Sequence, residues 1–530
     1  MLSYKQQKLD DRWDAIVIGS GIGGLAAAAL LSKYGQKKVL VLERHYTAGG
    51  YTHSFRRPGY SWDVGVHYIG EVRDPASPIR AVFDHLTEGQ LEWQAMPEVY
   101  DRVIMAGRTF DFPAGLENLR AALKQAFPSE ASAIDGYLAA VQSAQRASGM
   151  YFAEKAIPRP IAWIAGSLMR AGFLKWASRT TLDVLRRFTK NQDLIGVLTA
   201  QWGDYGLPPA QSSFGMHAII ASHYFNGASY PVGGAARIVE TIAPAIERNG
   251  GRIVVSAEVA EITIESGAAV GVRMSDGREL RSSIVVSDAG ARNTYGRLVT
   301  SSQPTLAHPI QDELRRIPGS MAHLSLYVGI KHSAAELGLT GTNLWIAPTP
   351  DYDANLARFL ADRSARFPML FISFPSAKDP EFERKHPGRA TIEVVALAPY
   401  DWFERFEDTP WKRRGADYDS LKNDLKQRLQ EELERAVPAV AGKIDYAELS
   451  TPLTTRHFMN YERGEAYGLA ATPERFRTRS LKPQTPVRNL YLTGQDVTTL
   501  GVVGAMMGGV VAASAILRRN LVSTVTKRFS

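Results

Sequence analysis

The sequence contains no cysteine in 530 residues. That excludes disulfides, thiolate metal sites, a cysteine nucleophile and any cofactor linkage through sulfur. No internal repeat is visible. No His, Asp and Glu residues fall at metal-ligand spacing, and no Ser-His-Asp pattern has supporting context. No recognisable nucleic-acid module is present, so no nucleic-acid partner is expected. Residues 1–12 are polar and mixed in charge, so no signal peptide is expected. Long uncharged runs are scarce. Leu500 to Leu517 is one, but it carries Gly501, Gly504, Gly508, Gly509 and several alanines. That composition suits a helix buried tightly against a sheet better than a membrane span.

Hydrophobic residues make up 45% and charged residues 22%, enough for well-buried cores in two or three domains. The net charge of +8 favours anionic partners, with a membrane surface ranked first.

The chain is organised around Trp13 to Thr52. Ala15 to Ile18 reads as a buried parallel strand. Gly19, Gly21 and Gly24 then form Gly-x-Gly-x-x-Gly, with Leu25 to Tyr34 as the following helix and Lys38 to Leu42 as the next strand. Such a loop lets the backbone approach a diphosphate at a helix N-terminus. Gly19, Ser20, Gly21, Gly23, Gly24 and Leu25 are its expected contacts. Glu43 stands 19 residues beyond Gly24, where a carboxylate bonds ribose hydroxyls. The acid favours FAD or NAD over NADP. Arg44, followed by Ala48-Gly49-Gly50 and Tyr51, adds a cation and more amides beside the same diphosphate. This second phosphate loop resembles that of amine oxidase and carotenoid desaturase flavoproteins, and so implies FAD. No second strand–Gly-x-Gly-x-x-Gly–helix unit follows. A dedicated NAD site is therefore not expected, and the electron partner stays open.

Further segments carry the resemblance: Trp62-Asp-Val-Gly-Val-His-Tyr-Ile-Gly, Ser213-Phe-Gly-Met-His-Ala, Tyr230-Pro-Val-Gly-Gly, Leu492-Thr-Gly-Gln-Asp-Val and Gly501-Val-Val-Gly-Ala. They resemble retinol saturase-like members of the carotenoid isomerase and phytoene desaturase group. The resemblance implies non-covalent FAD, with Val259 giving its backbone to the adenine and Asp496 bonding the ribitol. Gly494, Val503 and Gly504 lie in the turn and helix beside it. It also implies an apolar tunnel and membrane-associated work on a polyene. The expected fold is α/β, with a Rossmann-type FAD domain in three pieces (12–105, 230–300, 485–520). An α+β substrate domain on an antiparallel sheet would occupy 106–229 and 301–484.

Residues 157–190 interleave apolar side chains with Arg170, Lys175, Arg179, Arg186, Arg187 and Lys190. Such a stretch suits helices lying in a membrane interface, or else a solvated basic face. A cytoplasmic protein, peripheral on the inner face of a membrane, is the expected location. Saturation of a double bond needs a hydride carrier, an apolar cavity and a proton source. His67 and Tyr68 are the first candidates for the proton donor or polar anchor, and His217, with His223 and Tyr224, the second. Saturation, desaturation and isomerisation of a retinoid or carotenoid use the same parts. The alternatives are oxidation of membrane acyl chains, an amine oxidase, or a non-catalytic lipid escort protein.

Overall fold

The structure, a computed structural model, describes residues 2–6, 8–157, 159–299 and 304–529. Pro158, in the expected membrane-contacting stretch, lies outside the described residues. So do residues 300–303, at an expected domain junction.

Ala15–Ile18 and Val39–Leu42 are apolar at every position, and every residue is buried. A strand without a polar face must be covered on both sides, as in parallel sheets. In chain order the strands of the two large sheets are β1 (Leu2–Ser3), β2 (Ala15–Ile18), β3 (Val39–Leu42), β4 (Val99–Met105), β5 (Arg108–Pro113), β6 (Arg252–Val255), β7 (Val285–Ser287), β8 (Ala322–Ile330), β9 (Asn343–Ala347), β10 (Leu370–Ser373), β11 (Ala390–Ala398), β12 (Ile444–Ser450) and β13 (Leu490–Leu492). The helices used below are α1 (Ile22–Gly35), α2 (Ala131–Glu154), α3 (Arg159–Ala177), α4 (Phe214–His223), α5 (Ala236–Glu247), α6 (Ala416–Ala436) and α7 (Gly501–Leu517).

One sheet is wholly parallel, in the order β1-β6-β3-β2-β7-β13. Helices α1, α5 and α7 share one apolar cluster with it. α1 begins before the expected Leu25, so Gly23 and Gly24 sit in its first turn. α7 crosses α1 at close range. A Cβ on Gly509 would collide with the Gly23 carbonyl, and one on Gly508 with the Gly494 carbonyl. The small-residue run is therefore a packing device. Among the described residues no helix is long and apolar enough to cross a membrane.

The other large sheet runs β5-β4-β9-β10-β11-β8-β12. Its pairs are antiparallel except β4 with β9, which is parallel. α6 covers one face with Tyr418, Leu421, Leu425, Leu429 and Leu433. α2 and α4 pack towards the other face, against Val103, Met105, Trp345 and Phe371. The expected first piece of the FAD domain ran to residue 105, and that boundary is corrected. β4 pairs with β5 and β9, so residues 99–105 belong to this second sheet.

Candidate active site

A cavity of about 870 Å³ runs between the two sheets. At one end lie the first turn of α1 and the ends of the parallel strands. At the other lie α2, α4 and the seven-stranded sheet.

The nucleotide end is built from short loops. Gly21, Ile22 and Gly23 line it at the N-terminus of α1, where unpaired amides and the helix dipole favour an anion. Glu43, at the end of β3, lines it too. Its Oε2 accepts from the Ser20 amide (2.9 Å) and hydroxyl (2.8 Å), and its Oε1 from the His45 amide (2.7 Å). Gly49, Gly50, Tyr51 and Val259 form further wall. Arg44 also lines the cavity, but its guanidinium is engaged. It donates to the carbonyls of His457 (2.6 Å) and Phe458 (3.3 Å) and lies 3.6 Å from Glu258. Asp496, just after β13, accepts from the Ala291 amide through Oδ2 (2.7 Å), and Arg475 stands 3.8 Å from Oδ1. Asp496 Oδ1 is buried with no hydrogen-bond partner, and so is the Tyr51 hydroxyl. Both residues line the cavity, and these atoms want polar partners, as the hydroxyl-rich chain and ring edge of FAD would supply. Val503 and Gly504 line the wall at the start of α7.

Some expected contacts take other roles. Leu25 is buried in the core, and its amide donates to the Gly21 carbonyl inside α1, so it is corrected to a packing residue. Ser20, Gly24 and Gly494 stand behind the wall. Ser20 fixes Glu43, while Gly24 and Gly494 abut Asp288.

Asp288 was not singled out by the sequence reading. It follows β7 and lies against the glycine loop. A Cβ on Gly21 would sit 2.5 Å from Asp288 Oδ2, and one on Gly23 2.8 Å from Oδ1. Burial pushes its carboxyl up to about 8, against the pull of the Gly24 amide.

At the substrate end, Ile219, Ile220, Tyr224, Met369, Phe371 and Leu397 give an apolar, partly aromatic wall. Its floor is polar. His67 follows the extended segment Tyr60–Asp63, and its ring meets Phe371 edge-on at 5.0 Å. Its Nδ1 lies 2.8 Å from Glu393 Oε2, and neither atom has a hydrogen-bond partner. Glu393 is the lone acid of β11 and is fully buried. Burial pushes it up to about 8, opposed by the Lys378 charge and the Asp63 amide. Burial holds the His67 imidazole down at about 3, so it is neutral. Lys378 donates to the carbonyl of His67 (2.9 Å), to Asn343 Oδ1 and to Ser373 Oγ (2.7 Å), and burial lowers it to about 7. Asp63 accepts from the Tyr230 hydroxyl, the Ser54 hydroxyl and the Ala235 amide.

Tyr68 lines the cavity and donates to Asp101 (3.0 Å), with Asp204 at 3.2 Å. Burial first, then these acids, hold its phenol well above the usual range, so it stays protonated. Tyr224 stacks on it at 4.4 Å. His217 is corrected. It does not line the cavity, and Tyr137 (2.9 Å) and Tyr205 (3.1 Å) engage both of its ring nitrogens. His223 does line the cavity, but its Nε2 is taken by the Gly70 amide (2.9 Å). The sequence reading missed Glu393 and Asp204. A single acid in the otherwise apolar Ala390–Ala398 was the available signal for Glu393.

Residues 22–517 match the family described as flavin containing amine oxidoreductase. The chain belongs to that family. Its members' chemistry rests on FAD, and the orphaned polar atoms and glycine cradle fit that group, so this flavin oxidoreductase is an FAD-dependent enzyme. Among its relatives, the all-trans-retinol 13,14-reductase of Danio rerio is 38% identical over 98% of this chain and 88% of that one. The chloroplastic prolycopene isomerase of Arabidopsis thaliana is 25% identical over 96% and 84%. Among solved structures, cyclohexylamine oxidase from Brevibacterium oxydans has a TM-score of 0.60 at 18% identity, covering 97% of this chain and 98% of that one. That likeness shows the fold alone.

Proposed function

We propose that this flavin oxidoreductase reduces a carbon–carbon double bond of an apolar polyene of the retinoid or carotenoid class. The observation that carries the reading is a buried acid, Glu393, behind a neutral histidine on the wall of an apolar cavity. The names of the relatives, a retinol reductase and a prolycopene isomerase, support a polyene as substrate. When bound, FAD supplies the hydride half of such a reduction. A two-electron donor from outside the chain must recharge it.

The chain's own residues supply the proton. His67 Nδ1 is buried against Glu393, so the exposed part of its ring faces the cavity. As Nε2–H gives its proton to the substrate carbon, Glu393 gives its own to Nδ1. One N–H and one O–H bond break, and one C–H and one N–H bond form. The imidazole ends neutral in its other tautomer. The new carboxylate faces Lys378 and keeps the Asp63 amide as a donor (3.1 Å). Tyr68, held by Asp101 and Asp204, anchors the polar end of the wall.

The substrate arrives from a lipid surface. α3 leaves Trp163, Ile164 and Leu168 with 87%, 77% and 83% of their surface exposed, and Ile161 on α3 and Met150 on α2 are exposed too. Ser148, Gly149, Phe152 and Ala153, around Met150, line the cavity. The apolar face and the cavity wall therefore share the end of α2. Lys175, Arg186, Arg187 and Lys190 are exposed nearby in the chain and suit anionic headgroups. Arg170 is removed from the basic set, because it is mostly buried beside Glu154 at 3.5 Å.

Anaerobic photoreduction of the bound flavin, followed by candidate substrates, tests the reading. Reoxidation by a polyene, with a product heavier by two hydrogens in the mass spectrum, is the expected result. Reoxidation by acyl lipids alone overturns it, and so does isomerisation without reoxidation.

A further inference from the structure

We propose that Asp288 holds the diphosphate of FAD as a neutral acid, donating a hydrogen bond from inside the glycine cradle. The inference rests on reading that cradle as the FAD site. Asp288 leaves the end of β7 and meets both the glycine loop and the turn after β13. Its carboxyl oxygens abut the Cβ positions of Gly21, Gly23 and Gly494, and its Cβ and backbone abut that of Gly19. The Gly24 amide, in the first turn of α1, holds it. It also lines the cavity, so what exposure it keeps is into the cavity.

A carboxylate there would face a diphosphate of the same charge across a short gap. The Gly24 amide at the N-terminus of α1 relieves it, but burial outweighs that relief. The charged and titratable groups around it are Glu43 from the end of β3, Asp496 from the turn after β13, and the phenol of Tyr461. Arg475 is turned to Asp496. Among the described residues no cation pairs with Asp288. Burial and these acids all favour its protonated form, pushing it up to about 8. A neutral carboxyl is a donor, and the diphosphate oxygens are acceptors.

The sign of the linkage follows. Only the protonated form binds, so affinity for FAD is constant below the pKa of Asp288 and falls above it, by about tenfold per pH unit. Lys155, Lys378 and Glu393 titrate in the same range, so the variant must separate them. The experiment titrates FAD into flavin-stripped full-length protein from roughly pH 6 to pH 10, following flavin fluorescence. Wild type is expected to weaken above about pH 8. Asp288→Asn keeps a donor without the charge, so its affinity stays flat through that range. Asp288→Ala loses the donor, and is weaker at low pH and equally flat. A flat wild-type curve overturns the proposal, and so does a break that persists in Asp288→Asn. Thermal unfolding of the apoproteins separates misfolding from lost affinity. If Asp288→Asn is misfolded, the wild-type curve and Asp288→Ala decide. No binding at any pH would instead defeat the FAD reading itself.

Discussion

His67 Nδ1 and Glu393 Oε2 lie 2.8 Å apart, at the meeting of the Trp62–Gly70 segment and the interior strand β11. The pair joins a ring open to the cavity to a carboxyl with no exposure. In the proposed relay, the proton held by Glu393 reaches the cavity through the imidazole.

Replacing Glu393 by Gln tests this store. Turnover of a polyene is expected to fall at least a hundredfold, since a positioned acid contributes about 10²- to 10⁴-fold. Wild-type turnover should fall as pH rises through about 8, where Glu393 ionises, and the residual rate of the variant should lose that limb. Stability also falls with rising pH, over a lower range. The folded-state pKa is raised, so the wild type loses stability between the ordinary carboxyl range and about 8 as the unfolded chain ionises first. A neutral amide avoids that loss. Glu393→Gln should melt no lower than wild type at neutral pH, as calorimetry would record. A variant that keeps full rate rules the store out.

His67→Ala should retain FAD, because the imidazole lies outside the glycine cradle, yet lose turnover as Glu393→Gln does. The double variant should be no slower than either single one, since the two residues act as one relay. Additive losses in a double-mutant cycle would separate the two residues.

The nucleotide grip was legible because its chemistry is local. A glycine loop, an acid at fixed spacing and a second glycine run all fall within Trp13 to Thr52. The substrate floor was not. Glu393 serves Asp63 from 330 positions away, and only strand register brings them together. α4 is apolar nearly all round, so its sequence does not tell which face meets the cavity. His217 turned out to face two tyrosines, while His223 and Tyr224 reached the wall. Arg170 read as a surface cation because the buried Glu154 beneath it comes from the preceding helix.

The exposed face of α3 predicts lipid binding. Each large apolar side chain moved out of water contributes roughly 1.5–3 kcal/mol. Trp163→Ser, Ile164→Ser and Leu168→Ser together should lower co-sedimentation with anionic vesicles more than tenfold. Turnover of substrate delivered in detergent should survive, because none of the three lines the cavity. Charge reversal at Lys175, Arg186 and Arg187 should weaken binding at low salt and matter less at high salt. Undiminished binding by the triple serine variant would remove α3 as the docking face.

Glu43→Gln should weaken FAD. The carboxylate already accepts three donors from Ser20 and His45, and this fixes the loop that turns towards Gly49. An amide turns one acceptor into a donor facing those donors. Losing hydrogen bonds to a charged acceptor costs about 1.5–3 kcal/mol, or roughly tenfold to a hundredfold in Kd. Fluorescence titration of the apoprotein measures it, and an unchanged Kd would deny Glu43 a role in the grip.

The contact of α1 with α7 gives a prediction about stability. A methyl group on Gly509 would run into the Gly23 carbonyl and also lie 2.7 Å from the Ala26 methyl. Both partners belong to α1, whose first turn is the floor of the cradle, so neither can withdraw without moving it. Gly509→Ala should cost about 1–3 kcal/mol, as overpacking does. The protein should also purify with less flavin, because relief of the clash shifts the turn that carries Gly21 and Gly23. Calorimetry and the flavin-to-protein absorbance ratio measure the two effects. A variant that loses stability but keeps full flavin content would mean that α7 yields instead of α1, and that the two helices are less tightly coupled than their spacing implies.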